Sequence, residues 1–108
     1  MNKQIVTAYV RFVQVKGGKR RPILITDELE DGYEFFKITT KFATKSRAMQ
    51  KWYFEITDYE GTGLLKHSWI DTYHRYFLPK GVTSIKPIGN LSSYDETRLT
   101  AFVMRQKK

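Results

Sequence analysis

An arginine set directly before a proline, Arg21-Pro22, and a threonine near the end of an alternating stretch, Thr39, are the residues best suited to chemistry on a phosphate. A guanidinium stays charged and offers a planar fork of donors, so it can carry the negative charge that builds on phosphorane oxygens. A hydroxyl beside it can orient the same phosphate. RNA cleavage without a metal asks for these groups and for proton transfer: the ribose 2′-OH loses a proton as it attacks phosphorus, and the departing 5′-oxygen gains one. Arg21 and Thr39 could fill the first two roles, although spacing alone does not pair them.

Cations surround these residues. Lys16, Lys19, Arg20 and Arg21 flank a Gly17-Gly18 turn, and Lys37, Lys41, Lys45, Arg47 and Lys51 line the next loop region. Two such loops on one end of a barrel would make a basic bowl. Aromatic residues interleave with them. Tyr53, Phe35 and Phe42 are candidates to stack unpaired bases, whereas Phe36, Phe54 and Trp52 read as core. Nineteen Lys and Arg against eleven Asp and Glu give a net charge of +8, which favours a polyanion or an acidic protein segment as partner.

Other chemistries find little support. The chain has no cysteine, so thiolate nucleophiles, disulfides and sulfur-ligated zinc are excluded. His67 and His74 lie seven residues apart without a carboxylate in metal-ligand spacing, so no metal or other cofactor is expected. Both imidazoles read as surface or half-buried groups near Trp69 and Tyr73; His67, between Lys66 and Ser68, is the better candidate for function. No Gly-rich phosphate loop opens a helix and no nucleophile elbow is present. Without a long apolar run or an apolar signal core, no membrane association is expected and the cytoplasm is the expected location.

The elements that must position these residues are mostly β. Strands are expected over 4–15, over 23–26 with Pro22 at its start, over 33–40, over 52–57, around 64–70, over 73–78 and over 82–88. A short helix is expected around Ser46 to Gln50. Ser93 and Glu96 have capping-box spacing, and Leu99, Phe102 and Val103 form one stripe, so a terminal helix is expected over about 92–105. At 108 residues this is one domain, 1–108, a small closed or nearly closed barrel with a C-terminal helix.

Four segments in order resemble a known family. Lys19-Arg20-Arg21-Pro22-Ile23-Leu24-Ile25 is similar to the "Arg-Pro-Val-Leu-Val" strand of PemK/MazF-type toxins. Phe36-Lys37-Ile38-Thr39-Thr40 resembles the family's strand ending in "Ile-Thr". Gly63-Leu64-Leu65-Lys66-His67-Ser68 is similar to "Gly-Leu-x-Lys-x-Ser", and Ile88-Gly89-Asn90-Leu91 to "Ile-Gly-x-Leu". Thr7-Ala8-Tyr9-Val10 stands where the family usually opens with "Gly-Asp-Val". The resemblance implies an SH3-like barrel, a homodimer, and a metal-independent endoribonuclease acting on single-stranded RNA. It also implies an acidic antitoxin that covers the RNA groove. It makes Arg21 and Thr39 the catalytic pair, places Ser68 and Lys66 beside them, and leaves the general base open between Arg21 and His67. Lys16, Lys19, Arg20, Lys37, Thr40 and Lys41 would then contact RNA with Lys66. The alternative is a non-catalytic SH3-like module that binds nucleic acid or an acidic peptide.

Overall fold

Side chains alternate between two environments along much of 4–9, 20–28 and 32–39, and these segments are three antiparallel strands. The computed structural model describes residues 3–10, 19–81 and 84–106. In chain order the elements are β1 (Gln4–Val10), β2 (Lys19–Glu28), β3 (Gly32–Thr39), α1 (Arg47–Gln50), β4 (Tyr53–Glu55), β5 (Trp69–Pro79), β6 (Ile85–Asn90) and α2 (Ser93–Arg105). The protein is mostly β: the strands form one six-stranded sheet in the order β4-β5-β3-β2-β1-β6, every neighbouring pair antiparallel.

Apolar residues are buried on both faces of this sheet. Ile5, Leu24, Phe36, Ile38, Phe54 and Ile70 form one cluster with Leu91 and with Leu99 of α2, while Val6, Ala8, Ile23, Ile25, Phe35 and Leu78 form the other. Full burial of a Leu or Phe side chain is worth roughly 1.5–3 kcal/mol, so the α2 stripe is anchored chiefly through Leu99. Phe102 adds an edge contact with Phe54 at 5.5 Å between ring centres.

Strand pairing does not close the sheet into a barrel: β4 and β6 remain its two edges. The sheet curls instead until the segment after β4 reaches β6, where the Asn90 N–H donates to the Gly61 carbonyl at 2.8 Å. A Cβ on Gly89 would overlap that same carbonyl, so only glycine permits the approach. The expected barrel is therefore an open, strongly curled sheet with this segment across its seam.

Several boundaries differ from expectation for local reasons. Pro22 lies inside β2 rather than at its start, and it is tolerated because the ladder to β3 begins only at Ile23. The two expected strands around 69 and 73–78 are one strand, β5. Its Asp71-Thr72 pair is accommodated because Thr72 bonds the Trp52 carbonyl through both its N–H, at 2.9 Å, and its hydroxyl, at 2.6 Å. The expected helix at 46–50 is α1, with Ser46 as its N-cap. In α2 the N-cap is Ser92, whose hydroxyl accepts the Asp95 N–H, and not Ser93. Residues 11–15 of the first expected strand, 82–83 of the last, Lys16 and the Gly17-Gly18 turn lie outside the described residues. No helix among the described residues is long and apolar enough to cross a membrane.

Candidate functional site

The register of four strands lines up polar side chains in two adjacent rows. In the first, Ile23 of β2 faces Lys37 of β3, Lys37 faces Asp71 of β5, and Asp71 faces Tyr53 of β4. Directly opposed residues in antiparallel strands share a sheet face. Two residues along lies the second row, in which Thr39 faces Trp69 and Trp69 faces Glu55. The β2–β3 ladder ends at the Ile23–Lys37 pair, and Arg21 and Thr39 are the next residues beyond that pair on the same face of their respective strands.

The rows differ in how well their charges are satisfied. Lys37 Nζ lies 3.6 Å from the buried Asp71 carboxylate. Burial, with Asp71 as a charged neighbour and hydrogen-bond partner, pushes the Tyr53 hydroxyl up from 10.0 to about 12. Burial and then the same carboxylate push Tyr76 up as well. Arg21 is half-buried, and among the described residues its Nε is shielded from solvent with no acceptor in reach. Leaving a buried donor unsatisfied costs about 1–3 kcal/mol, more when it is charged, and an acceptor placed at this Nε would relieve that cost. Thr39 Oγ1 accepts the Lys41 N–H at 3.1 Å, which leaves the hydroxyl hydrogen available for an incoming oxygen.

Aromatic rings flank the Thr39 row. Trp69 stacks with Phe42 at 4.9 Å and 8° between planes, and with His67 at 4.2 Å and 26°. His67 Nε2 lies 2.7 Å from Glu55 Oε2, with both side chains about half exposed. Tyr59 meets the imidazole edge-on at 6.5 Å. Its own hydroxyl is fixed in place, accepting the Ser68 N–H at 2.5 Å and donating to the Ser68 carbonyl at 3.3 Å.

The other residues singled out in the sequence are placed unevenly. Ser68 is buried and its hydroxyl donates to the Lys66 carbonyl at 2.8 Å, so it does not join Arg21 and Thr39. Arg20 alternates to the opposite face from Arg21, where its guanidinium donates to the Thr7 carbonyl at 2.8 Å and the Ser84 carbonyl at 3.4 Å. Thr40, Lys41 and Lys66 are exposed. Lys19 enters β2 opposite Val10. Of the aromatic candidates, Phe35 and Tyr53 are buried core residues, and Phe42 is the one left at the surface of the stack.

Sequence reasoning missed Glu55, Trp69 and Asp71. One signal for Glu55 was available: it is the single charge in the otherwise aromatic and apolar run from Trp52 to Ile56. Among the described residues no three His, Cys, Asp or Glu side chains gather where they could hold a metal ion. No protein-family model matches the chain, and no curated protein matches it.

Proposed function

We propose that this protein cleaves single-stranded RNA without a metal ion, on the sheet face that carries Arg21 and Thr39. The observation that carries the reading is the Arg21 guanidinium, half-buried, with its Nε–H shielded and, among the described residues, lacking an acceptor. A phosphate oxygen supplies the missing acceptor, and its negative charge grows as the 2′-oxygen adds to phosphorus, so the interaction is strongest in the transition state. Thr39, on the same face at the end of β3, donates its hydroxyl to a second phosphate oxygen. Lys41, exposed immediately after the Thr39 strand end, extends the positive surface along the RNA backbone. The resemblance of the Arg21-Pro22 and Ile38-Thr39 segments to PemK/MazF-type toxins supports the same pair.

On this reading the +8 chain is a toxin neutralised by an acidic antitoxin segment, works as a homodimer and acts in the cytoplasm. The reading is tested by incubating the purified protein with mixed-sequence single-stranded RNA in EDTA, beside Arg21→Ala, and mapping the ends. Discrete cuts with 5′-hydroxyl ends that vanish in the variant are expected. Equal cutting by the variant overturns the assignment. A second reading, a module that binds nucleic acid or an acidic peptide without turnover, is favoured by the pairing of Lys37 with Asp71, which leaves Arg21 as the cation of that face with an open donor. It predicts salt-sensitive binding and no cuts.

A further inference from the structure

We infer that His67 is the general base of this site and that Glu55 is the residue that positions it. The inference rests on the RNA-cleaving reading above and assigns the proton transfer that Arg21 and Thr39 leave unassigned. It starts from the 2.7 Å contact between His67 Nε2 and Glu55 Oε2. A carboxylate can only accept, so the ring hydrogen of the neutral imidazole sits on Nε2 and the lone pair on Nδ1. No described residue hydrogen-bonds Nδ1. The tautomer is therefore fixed by Glu55, and the basic nitrogen is the one left open.

A single hydrogen bond between two half-exposed side chains contributes little and by itself holds nothing in place. This ring is held by more than that hydrogen bond. It lies on Trp69 at 4.2 Å, and Tyr59, pinned by both backbone groups of Ser68, closes on it edge-first. Trp69 is in turn the register partner of Thr39, and opposed side chains in a sheet start about 5 Å apart. The imidazole thus lies at the Glu55–Trp69 end of the face, on the ring that pairs with Thr39 across β5 and β3. A phosphate taken by Arg21 and Thr39 brings its ribose alongside that ring.

The step balances without a further reagent. The 2′-oxygen bonds to phosphorus as its proton passes to His67 Nδ1, the phosphorus–5′-oxygen bond breaks, and the 5′-oxygen takes a proton from water. The products are a 2′,3′-cyclic phosphate and a 5′-hydroxyl. The resulting imidazolium faces the Glu55 carboxylate, which stabilises it until the proton returns to solvent.

The test compares wild type, His67→Ala, Glu55→Gln and the double variant on one defined RNA in EDTA, with kcat and KM measured separately. His67→Ala is expected to lower kcat by about 10²-fold, in the range for lost general-base catalysis, and added imidazole is expected to restore part of the rate. Glu55→Gln is expected to lower kcat about tenfold at unchanged KM, with the double variant no slower than His67→Ala, since a positioning residue acts only through the group it positions. Both side chains are half exposed, so melting temperatures are expected to hold and a folding defect is separable from a rate defect. Wild-type kcat in Glu55→Gln, multiplicative losses in the double variant, or a change confined to KM each overturn the dyad while leaving Arg21 and Thr39 in place. Absence of cutting by wild type itself, or equal cutting by Arg21→Ala, overturns the underlying reading instead.

Discussion

Arg21 on β2 and Arg98 on α2 receive opposite treatment from the same fold. Arg98 Nη1 lies 2.6 Å from Asp95 Oδ1 and 3.3 Å from Thr57 Oγ1, and its guanidinium rests over the rings of Phe54 at 5.0 Å and Tyr94 at 5.5 Å. Asp95, fully buried, takes two more donors on its second oxygen: the Thr57 N–H at 3.0 Å and the Asp58 N–H at 2.8 Å. This cluster clips the helix to the segment that follows β4. Every charge in it meets an opposite charge or a dipole. Arg21 meets none among the described residues and hides a donor from water as well. Folding alone would favour neutralising Arg21 as Arg98 is neutralised. On the proposed reading its open state suits a phosphate, which the clip does not need.

The sharpest way to break this contrast is to delete each arginine in turn. Arg21→Ala is expected to reduce cleavage by about 10²–10³-fold or more, as for a lost transition-state donor, with a melting temperature equal to or above wild type. Arg98→Ala is expected to leave cleavage intact and to lower stability by roughly 1–2 kcal/mol, since its hydrogen bonds to charged and polar partners are part of the fold. Rate assays and thermal melts on both variants decide the matter. A reversed pattern would assign the function to the helix clip.

Removing the carboxylate of the clip has the next largest effect. Asp95→Ala leaves two backbone N–H groups and a guanidinium without their acceptor, and about 3 kcal/mol of stability is expected to go with it. For a domain of this size that corresponds to a fall in melting temperature of roughly 10–20 °C. Thr39→Ala follows, with an expected rate loss of about 10²-fold or less at unchanged melting temperature. Among the described residues its hydroxyl is bonded only to the Lys41 N–H, at the end of β3, so full activity in that variant would remove Thr39 from the site.

The same contrast explains which parts of the molecule could be read from the sequence. Alternation alone separates Phe36 and Ile38 from Phe35 and Lys37, and the structure keeps them on opposite faces. The serine before Arg47 marks a short helix because a cap is a local signal. Caps become ambiguous when two candidates adjoin. Ser92 with Asp95 and Ser93 with Glu96 have the same spacing, and the choice falls to Ser92 because Asp95 turns inward to Thr57 and Asp58, partners some forty residues away. The two rows across β2, β3, β5 and β4 are of the same kind. Glu55 and His67 lie twelve residues apart in sequence and meet only because β4 and β5 pair in one register. The continuous β5 was equally hidden, since Asp71 and Thr72 interrupt an apolar pattern and are satisfied chiefly by partners from other elements, Lys37, Tyr53 and Trp52.

Acid sharpens the account of the clip. Burial opposes ionisation of Asp95, yet the N–H groups of Asp58 and Thr57, the Thr57 hydroxyl and Arg98 outweigh it and hold the carboxyl below its ordinary 3.8. A folded value below the unfolded one means stability that is present above about pH 4 and lost as pH falls through the folded value. Asp95→Asn is expected to flatten this acid limb of a stability–pH curve measured in denaturant, while Arg21→Ala leaves it unchanged.

The smallest expected effect lies at the alkaline end, in the row beside Arg21. Tyr53 is held neutral up to about pH 12, first by burial and then by Asp71. The folded state disfavours the phenolate, so its contribution to stability is present below the unfolded value of 10.0 and is lost as pH rises from there through about 12. Tyrosinate absorbance should therefore include one late-titrating group, and Tyr53→Phe should remove it. Asp71→Asn is expected to move that group only part of the way back, because burial, the larger cause, remains. Complete restoration of an ordinary tyrosine titration by Asp71→Asn would mean that charge governs this row. Asp71 would then act on Lys37 and Tyr53 as Asp95 acts on Arg98, and Arg21 would differ from both clusters in having no such carboxylate among the described residues.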